Sequence, residues 1–274
     1  MTSADVPNHI WKHTARRPTV QVQNSVALIT GGAGGLGAGV ARMVTAGGGR
    51  AVLIDLPSSP GKELAAELGT DSALFVPTDI TDTEQVASAI VAALERFGRI
   101  DLCVNAAGVS PGIRTIDRSG KLFPLDVFRA AVEINLIGAF DVSRQAALAM
   151  TRNEPGEDGE RGLIVQVSSI AAVEGQVGQT AYTASKAGLA AMVLPLARDL
   201  APSGIRVMGV MPGIMDTPML AGLDDKRRSA LVGLSLFPKR LGTPEDFAAL
   251  VRSFMENTLL NADVVRLDAA ARLV

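Results

Sequence analysis

The chain has very little cysteine, histidine or tyrosine with which to do chemistry. Its 274 residues include one Cys, two His, one Tyr and one Trp, and aromatic residues make up only 4%. The lone cysteine, Cys103, cannot form a disulfide within the chain and suits a reducing compartment. Both histidines, His9 and His13, fall in the first thirteen residues. The body of the chain therefore offers no His for a Ser-His-Asp triad or a His-based metal site, and no metal is expected. Charges nearly cancel, at a net −2, so no basic field draws in nucleic acid or an anionic membrane. No apolar run approaches the roughly 20 residues that a membrane-spanning helix needs. A soluble cytoplasmic protein is the default expectation.

What is present is apolar and ordered. Hydrophobic residues make up 47% of the chain, enough for a large core in one big α/β domain or two small ones. Short β-branched runs recur at 26–30, 50–55, 73–77, 100–105, 163–168, 205–211 and 263–267. They are apolar throughout rather than alternating, as strands covered on both faces are. Between them, 84–98 and 126–150 carry apolar residues at helical spacing. Strands alternating with helices predict right-handed βαβ crossovers and a doubly wound parallel sheet. No repeat or linker divides this body. Residues 1–24 show no clear helix or strand pattern and read as an N-terminal arm before a domain at 25–274. The long excursion 213–242, after the sixth strand, is of a kind that often covers a binding site, and a substrate lid is expected there.

The segment "ALITGGAGGLGAGVARMV" (27–44) reads as strand, glycine-rich turn and helix. The turn fits Gly-x-Gly-x-x-Gly on Gly32, Gly34 and Gly37, and Thr-Gly-x-x-x-Gly-x-Gly on Thr30, Gly31, Gly35 and Gly37. Such glycines let backbone amides approach a pyrophosphate, and the helix N-terminus adds unpaired N–H groups for its oxygens. The second strand ends in Asp55, where a carboxylate accepts hydrogen bonds from adenosine ribose hydroxyls. No Arg or Lys lies in the turn to offset a 2′-phosphate, which favours NAD over NADP. Asp79 ends the third strand, beside Ile80. An adenine-binding role there and a helix N-cap role for neighbouring Thr81 or Asp82 are both open.

The only tyrosine, Tyr182, stands four residues before Lys186 in "AYTASKAGLA" (181–190). On a helix the two share a face. An ammonium beside a phenol favours the phenolate, lowering a pKa of about 10 towards working pH. That provides a general acid/base without histidine. Upstream, Ser168 and Ser169 end a strand at the edge where open α/β sheets bind ligands. A Tyr-x-x-x-Lys pair alone is commonly a surface pair; its order after the turn, the acid and the serines makes it chemistry.

Taken together, "TGGAGGLG" (30–37), "NAAG" (105–108), "EINLIG" (133–138), "VSS" (167–169), "YTASK" (182–186) and "MPGIMDTPM" (211–219) resemble the short-chain dehydrogenase/reductase family across nearly all of 25–270. Long segments at 152–162, 174–208 and 237–274 narrow the resemblance to the 3-hydroxyacyl-CoA dehydrogenases of type 2, also described as 17β-hydroxysteroid dehydrogenases. The resemblance implies a single Rossmann-type domain with a seven-stranded, mainly parallel sheet in order 3-2-1-4-5-6-7. It implies Tyr182 as acid/base and as a cofactor contact, Lys186 as its partner and ribose ligand, and Ser169 orienting the reacting oxygen. Asn135 would anchor a water linking Lys186 to solvent. Gly31, Gly35, Leu36 and Gly37 would line the cofactor with Asp55, Asp79 and Ile80. Asn105, Ala106 and Gly108 would continue that lining, and Pro212, Gly213 and Thr217 would sit by the nicotinamide. The implied activity is NAD-dependent interconversion of a secondary alcohol and a ketone, 3-hydroxyacyl-CoA first, within fatty acid metabolism. A hydroxysteroid or other secondary alcohol is the alternative substrate, and a dinucleotide-binding scaffold without turnover the non-enzyme alternative. A homotetramer follows from the resemblance alone.

Several features stand apart. Ala262 and Ala269 occupy positions where the family pattern has Gly. "HIWKH" (9–13) reads as incidental rather than metal-binding, and Asp5 and the lack of an amphipathic stripe weigh against an organelle signal in the arm. Met208, Met211, Met215 and Met219 suit either an irregular apolar ligand or ordinary core filling. "DKRR" (225–228) and "KR" (239–240) suit either coenzyme A phosphates or a solvated helix end.

Overall fold

The computed structural model describes residues 20–156, 158–222 and 224–273. Most of the arm at 1–24, with its histidine pair, lies outside the described residues. The part that is described turns inward, with Val20 and Val22 buried in the core.

Seven parallel strands form the sheet: β1 (Val26–Thr30), β2 (Arg50–Asp55), β3 (Ala73–Pro77), β4 (Leu102–Asn105), β5 (Gly162–Val167), β6 (Ile205–Pro212) and β7 (Val264–Leu267). Their order is β3-β2-β1-β4-β5-β6-β7, as the resemblance implied. The strands are largely apolar on both sides because each feeds two cores. On β1, Ala27 and Ile29 enter one cluster while Val26 and Leu28 enter the other; on β2, Ala51 and Leu53 oppose Val52 and Ile54.

Helices cover both faces. One core is closed by α1 (Gly35–Ala46) and α8 (Pro244–Glu256), the other by α3 (Thr83–Phe97), α5 (Ala139–Met150) and α6 (Thr180–Leu200). Helix α3 begins at Asp82, whose carboxylate accepts from the Glu84 and Gln85 N–H groups, and ends at Gly98 in the left-handed conformation. Its inner stripe is Val86, Ala89, Ile90 and Ala93. Helices α2 (Gly61–Leu68), α4 (Leu125–Val132) and α7 (Asp225–Leu234) are shorter. Strand order reverses between β1 and β4, which opens a crevice at the carboxyl ends of the strands.

The predicted single helix over 126–150 is in fact α4, a π-helical stretch Glu133–Gly138, and α5. At Gly138 the helix meets the backbone of the β3–α3 loop: a Cβ there would lie 2.9 Å from the Ile80 carbonyl oxygen. A wider turn accommodates such an approach, and periodicity alone does not announce it.

Ala262, Ala269 and Ala270 all adopt positive φ, at 65°, 50° and 58°. An L-residue pays about 1–2 kcal/mol for that geometry, whereas glycine does not. Glycine's freer unfolded chain returns about 0.4–1 kcal/mol of that relief. Ala269→Gly is therefore expected to stabilise the protein by about 0.5–1 kcal/mol, raising Tm by roughly 2–4 °C per kcal/mol. Thermal melting in the absence of cofactor checks it; an unchanged or lower Tm contradicts the strain argument.

Candidate active site

A cavity of about 850 Å³ runs along the carboxyl edge of the sheet. At one end is the β1–α1 turn. Gly31 has φ +62°, and a Cβ on it would come within 2.9 Å of the Ala107 amide nitrogen. Gly35 also has positive φ, and Leu36 opens α1 beside it. Gly37 is buried behind the wall, where a Cβ would overlap the Gly31 carbonyl oxygen. The turn is thus pressed flat against its neighbours, with the α1 N-terminus facing the cavity.

Asp55 stands at this end with a fixed carboxylate. One oxygen accepts from the Ala33 N–H (3.0 Å) and the other from the Leu56 N–H (2.8 Å). Each oxygen keeps a second lone-pair direction for a ligand hydroxyl. Asp79 and Ile80 also line the cavity, but the Asp79 carboxylate accepts from the Thr81 N–H and hydroxyl, at 2.9 and 2.8 Å. The helix cap itself is Asp82. Among the described residues lining the cavity, Lys186 is the one Lys or Arg, and it belongs to the opposite end.

At that opposite end β5 and α6 bring the polar groups together. Ser168 and Ser169 follow β5 directly but divide their work. Ser168 donates to the Lys186 carbonyl (2.7 Å), fastening α6 to the strand end. Ser169 accepts from the Ala171 N–H (3.1 Å) and lies beside the Tyr182 hydroxyl. One turn along α6, the Lys186 ammonium donates to the Val167 carbonyl (2.8 Å) and lies 5.9 Å from the Tyr182 ring centre.

Electrostatics here depart from the simple expectation. Enclosure pushes the Tyr182 phenol up, with the Ser169 hydroxyl pulling against it. Burial also lowers the Lys186 ammonium to about 8. Losing water costs each charged form more than the pair recovers at this separation. Lys186 alone does not bring the phenol down.

Ala106 and Gly108, from "NAAG", line the middle of the cavity, and Pro212, Gly213 and Thr217 close it from β6. Two more predicted residues lie behind the wall, as Gly37 does. Asn105 donates to Ser143 Oγ (2.8 Å) and Gln166 Oε1 (3.2 Å) in a buried polar cluster. Asn135, in the π-helical stretch, is fully buried; it accepts from the Val109 N–H (2.8 Å) and donates to the Val109 carbonyl (2.9 Å) and Ser185 Oγ (3.0 Å). Gly108 shows how close these parts are: its Cβ would lie 3.0 Å from Asn135 Oδ1 and 3.2 Å from Lys186 Nζ.

The methionines divide. Met208 is wholly in the core, whereas Met215 and Met219 line the cavity and Met219 is largely exposed. The basic clusters are engaged in ion pairs, Arg228 with Asp216, Arg227 with Asp224 and Arg240 with Asp246. Sequence reasoning missed Gln176, Gln179, Leu231 and Leu273 as lining residues. Gln179 directly precedes α6 and was within reach of the motif; nothing in the sequence brings Leu273, next to last in the chain, to this place.

A turn shaped for a pyrophosphate, an acid for a ribose, and a serine, tyrosine and lysine at the far end define an oxidoreductase of the nicotinamide-dinucleotide type. The chain belongs to the short-chain dehydrogenase family, which it matches over residues 25–228. Among its relatives are two proteins named 3-hydroxyacyl-CoA dehydrogenase type-2. The one from Bos taurus is 47% identical over 92% of this chain and 97% of its own length. The one from Drosophila melanogaster is 45% identical over 92% of this chain and 99% of its own. The crystal structure of 3-hydroxyacyl-CoA dehydrogenase type-2 from Mycobacterium avium is similar with a TM-score of 0.85 and 39% identity, covering 92% of this chain and 97% of that one. No helix among the described residues is long and apolar enough to cross a membrane.

Proposed function

We propose that this protein is an NAD-dependent 3-hydroxyacyl-CoA dehydrogenase, interconverting 3-hydroxyacyl-CoA and 3-ketoacyl-CoA. The observation that carries the reading is the meeting of Ser169, Tyr182 and Lys186 at one end of a cavity whose other end is the glycine turn and Asp55. The substrate class is taken from the names of the relatives. NAD is preferred to NADP because the Asp55 end carries a carboxylate and no lining cation.

When bound, NAD⁺ supplies the hydride acceptor and a positive ring charge. Tyr182, as phenolate, takes the proton of the substrate hydroxyl. Ser169 donates to the reacting oxygen and holds it beside the phenol. Lys186, held by the Val167 carbonyl, stabilises the phenolate from the other side and binds ribose hydroxyls. Asn135 keeps Val109 and Ser185 in place beside Lys186, where a water would return the proton to solvent. We assign the segment 213–242 the part of a lid, its apolar residues Met215, Met219 and Leu231 facing the acyl chain. The outer faces of α4 to α6 expose Leu125, Phe140, Leu148 and Leu194, which supports assembly into a homotetramer.

The test is NADH absorbance at 340 nm with purified protein, NAD⁺ or NADP⁺, and a panel of 3-hydroxyacyl-CoAs and hydroxysteroids. Turnover of the acyl-CoAs with NAD⁺ is expected. Turnover of steroids or simple alcohols only would keep the chemistry and discard the acyl-CoA assignment. NADH binding without any turnover would leave a scaffold. Asp55→Ser is expected to weaken NADH about 10–100-fold, from the loss of hydrogen bonds to a charged acceptor worth ~1.5–3 kcal/mol. It should also narrow the gap between NAD⁺ and NADP⁺; a mutant that keeps the wild-type preference would remove Asp55 from the ribose site.

A further inference from the structure

The segment after β7 is held by a dense set of ionic contacts. Beyond β7, Asp268 packs on Gly213, where a Cβ would come within 2.7 Å of the Asp268 Cα. The chain then reverses through the two left-handed alanines, with the Ala270 and Ala271 N–H groups bonded back to Asp268, at 3.0 and 2.9 Å. That reversal sends Leu273 across to Glu174, between Ser169 and Tyr182 in sequence. There the Leu273 N–H donates to Glu174 Oε2 (3.0 Å) and Arg266 donates to Glu174 Oε1 (2.9 Å). The same Arg266 guanidinium pairs with Asp268 (2.8 Å) and donates to the Ala271 carbonyl (3.1 Å). Arg272 adds contacts to Glu174 and Asp268, at 3.5 and 3.3 Å.

Two cations thus meet two carboxylates in a balanced network. Glu174 and Asp268 keep only 19% and 8% of their side-chain surface, so the network is screened less than a surface pair. The return of the 213–242 segment is tied in too, because the Ala269 carbonyl accepts from the Leu236 N–H (2.9 Å). The side chain this arrangement delivers to the cavity is Leu273, which lines the same cavity as Gln176, Gln179, Met219 and Leu231. Leu273 is only half-buried, so core packing does not account for its placement.

We propose that Leu273 is a specificity-determining residue, the end wall against which the substrate packs beyond its reacting carbon, and that Glu174 and Arg266 are positioning residues that hold it there. The proposal rests on the preceding reading only in that the cavity takes a secondary alcohol. An apolar wall of this kind discriminates by size, since one methylene in a pocket is worth about 10–200-fold in kcat/KM.

The experiment uses the full chain and reads the ratio of kcat/KM for a long substrate to that for a short one. The pair is a twelve-carbon and a four-carbon 3-hydroxyacyl-CoA, or a hydroxysteroid and a small secondary alcohol if only those turn over. Leu273→Ala is expected to move the ratio about tenfold towards the long substrate, and Leu273→Phe to move it the opposite way. Glu174→Gln should follow Leu273→Ala in direction, by releasing Arg266 and Arg272, with the Kd for NADH unchanged. Should Leu273→Ala fail to fold, Leu273→Phe and Glu174→Gln still carry the test. A ratio within twofold of wild type in the folded variants overturns the proposal. So does a ratio that moves the same way in Ala and Phe, or a parallel change in NADH affinity. Failure of the functional reading looks different, because wild type then turns over no acyl-CoA. If wild type turns over no secondary alcohol at all, the proposal falls with it.

Discussion

Tyr182→Phe is expected to lower kcat by about 10²–10⁴-fold while leaving NADH affinity within twofold of wild type. The reason lies in how few groups at that end of the cavity can carry a proton. No histidine is present beyond residue 13, and Cys103 is buried in the sheet with its thiol pushed up to about 12. Glu133 lines the cavity on the π-helical stretch and is not among the groups that meet Ser169. Ser169 and Lys186 remain, the one held by the Ala171 N–H and the other by the Val167 carbonyl. The substitution removes one hydroxyl and its contact with Ser169, at a cost of about 0.5–1.5 kcal/mol. The fold should therefore survive, and the loss should appear in single-turnover measurements as well as in the steady state. A variant that retains a tenth or more of wild-type kcat would show that another group moves the proton.

Gly37→Ala should abolish measurable dinucleotide binding, with NADH affinity falling at least ~100-fold, and should also lower Tm. Two effects oppose each other here. Alanine is the better helix former by about 1 kcal/mol, and Gly37 lies within α1. Against that, the added methyl would strike the Gly31 carbonyl, a backbone group that cannot swing aside, with the Gly32 Cα 3.0 Å away. Overpacking of this kind costs about 1–3 kcal/mol or more, so sterics win. Relief requires α1 to shift away from the turn, taking with it the amides that would face the pyrophosphate. Fluorescence titration with NADH and a melt without cofactor separate the two consequences. A variant that binds NADH normally would show that α1 adjusts without disturbing the turn.

The fold was legible in the sequence because burying a strand on both faces leaves a plain mark: "VALIT" and "RAVLID" have no polar face to show. That the glycine turn, Asp55, Ser169, Tyr182 and Lys186 would line one cavity was legible for a related reason, since each task proposed for them restricts the residue type at a fixed spacing. Other features depend on contacts between distant segments and leave no local mark. The π-helical widening around Asn135 arises where Gly138 meets the backbone at Ile80. The fastening of α6 by Ser168, through the Lys186 carbonyl, depends on where the helix comes to lie on the sheet. The effect of burial on Tyr182 and Lys186 could not be read from their spacing, because spacing gives the attraction between two charges and says nothing of the water each has lost. Leu273 reaches the cavity beside Glu174, 99 residues earlier in the chain.

The strand order also bears on how the polypeptide is made. Strand β1 lies between β2 and β4, with Ala27 facing Leu102, so its second neighbour is synthesised long after it. A ribosome-bound chain that has emerged only as far as α3 presents one side of β1 as an open row of unpaired amides and carbonyls, flanked by apolar side chains. Such an edge invites pairing with another nascent chain. That side of β1 is covered when β4 pairs with it, so a chain that ends short of about residue 105 keeps the edge open.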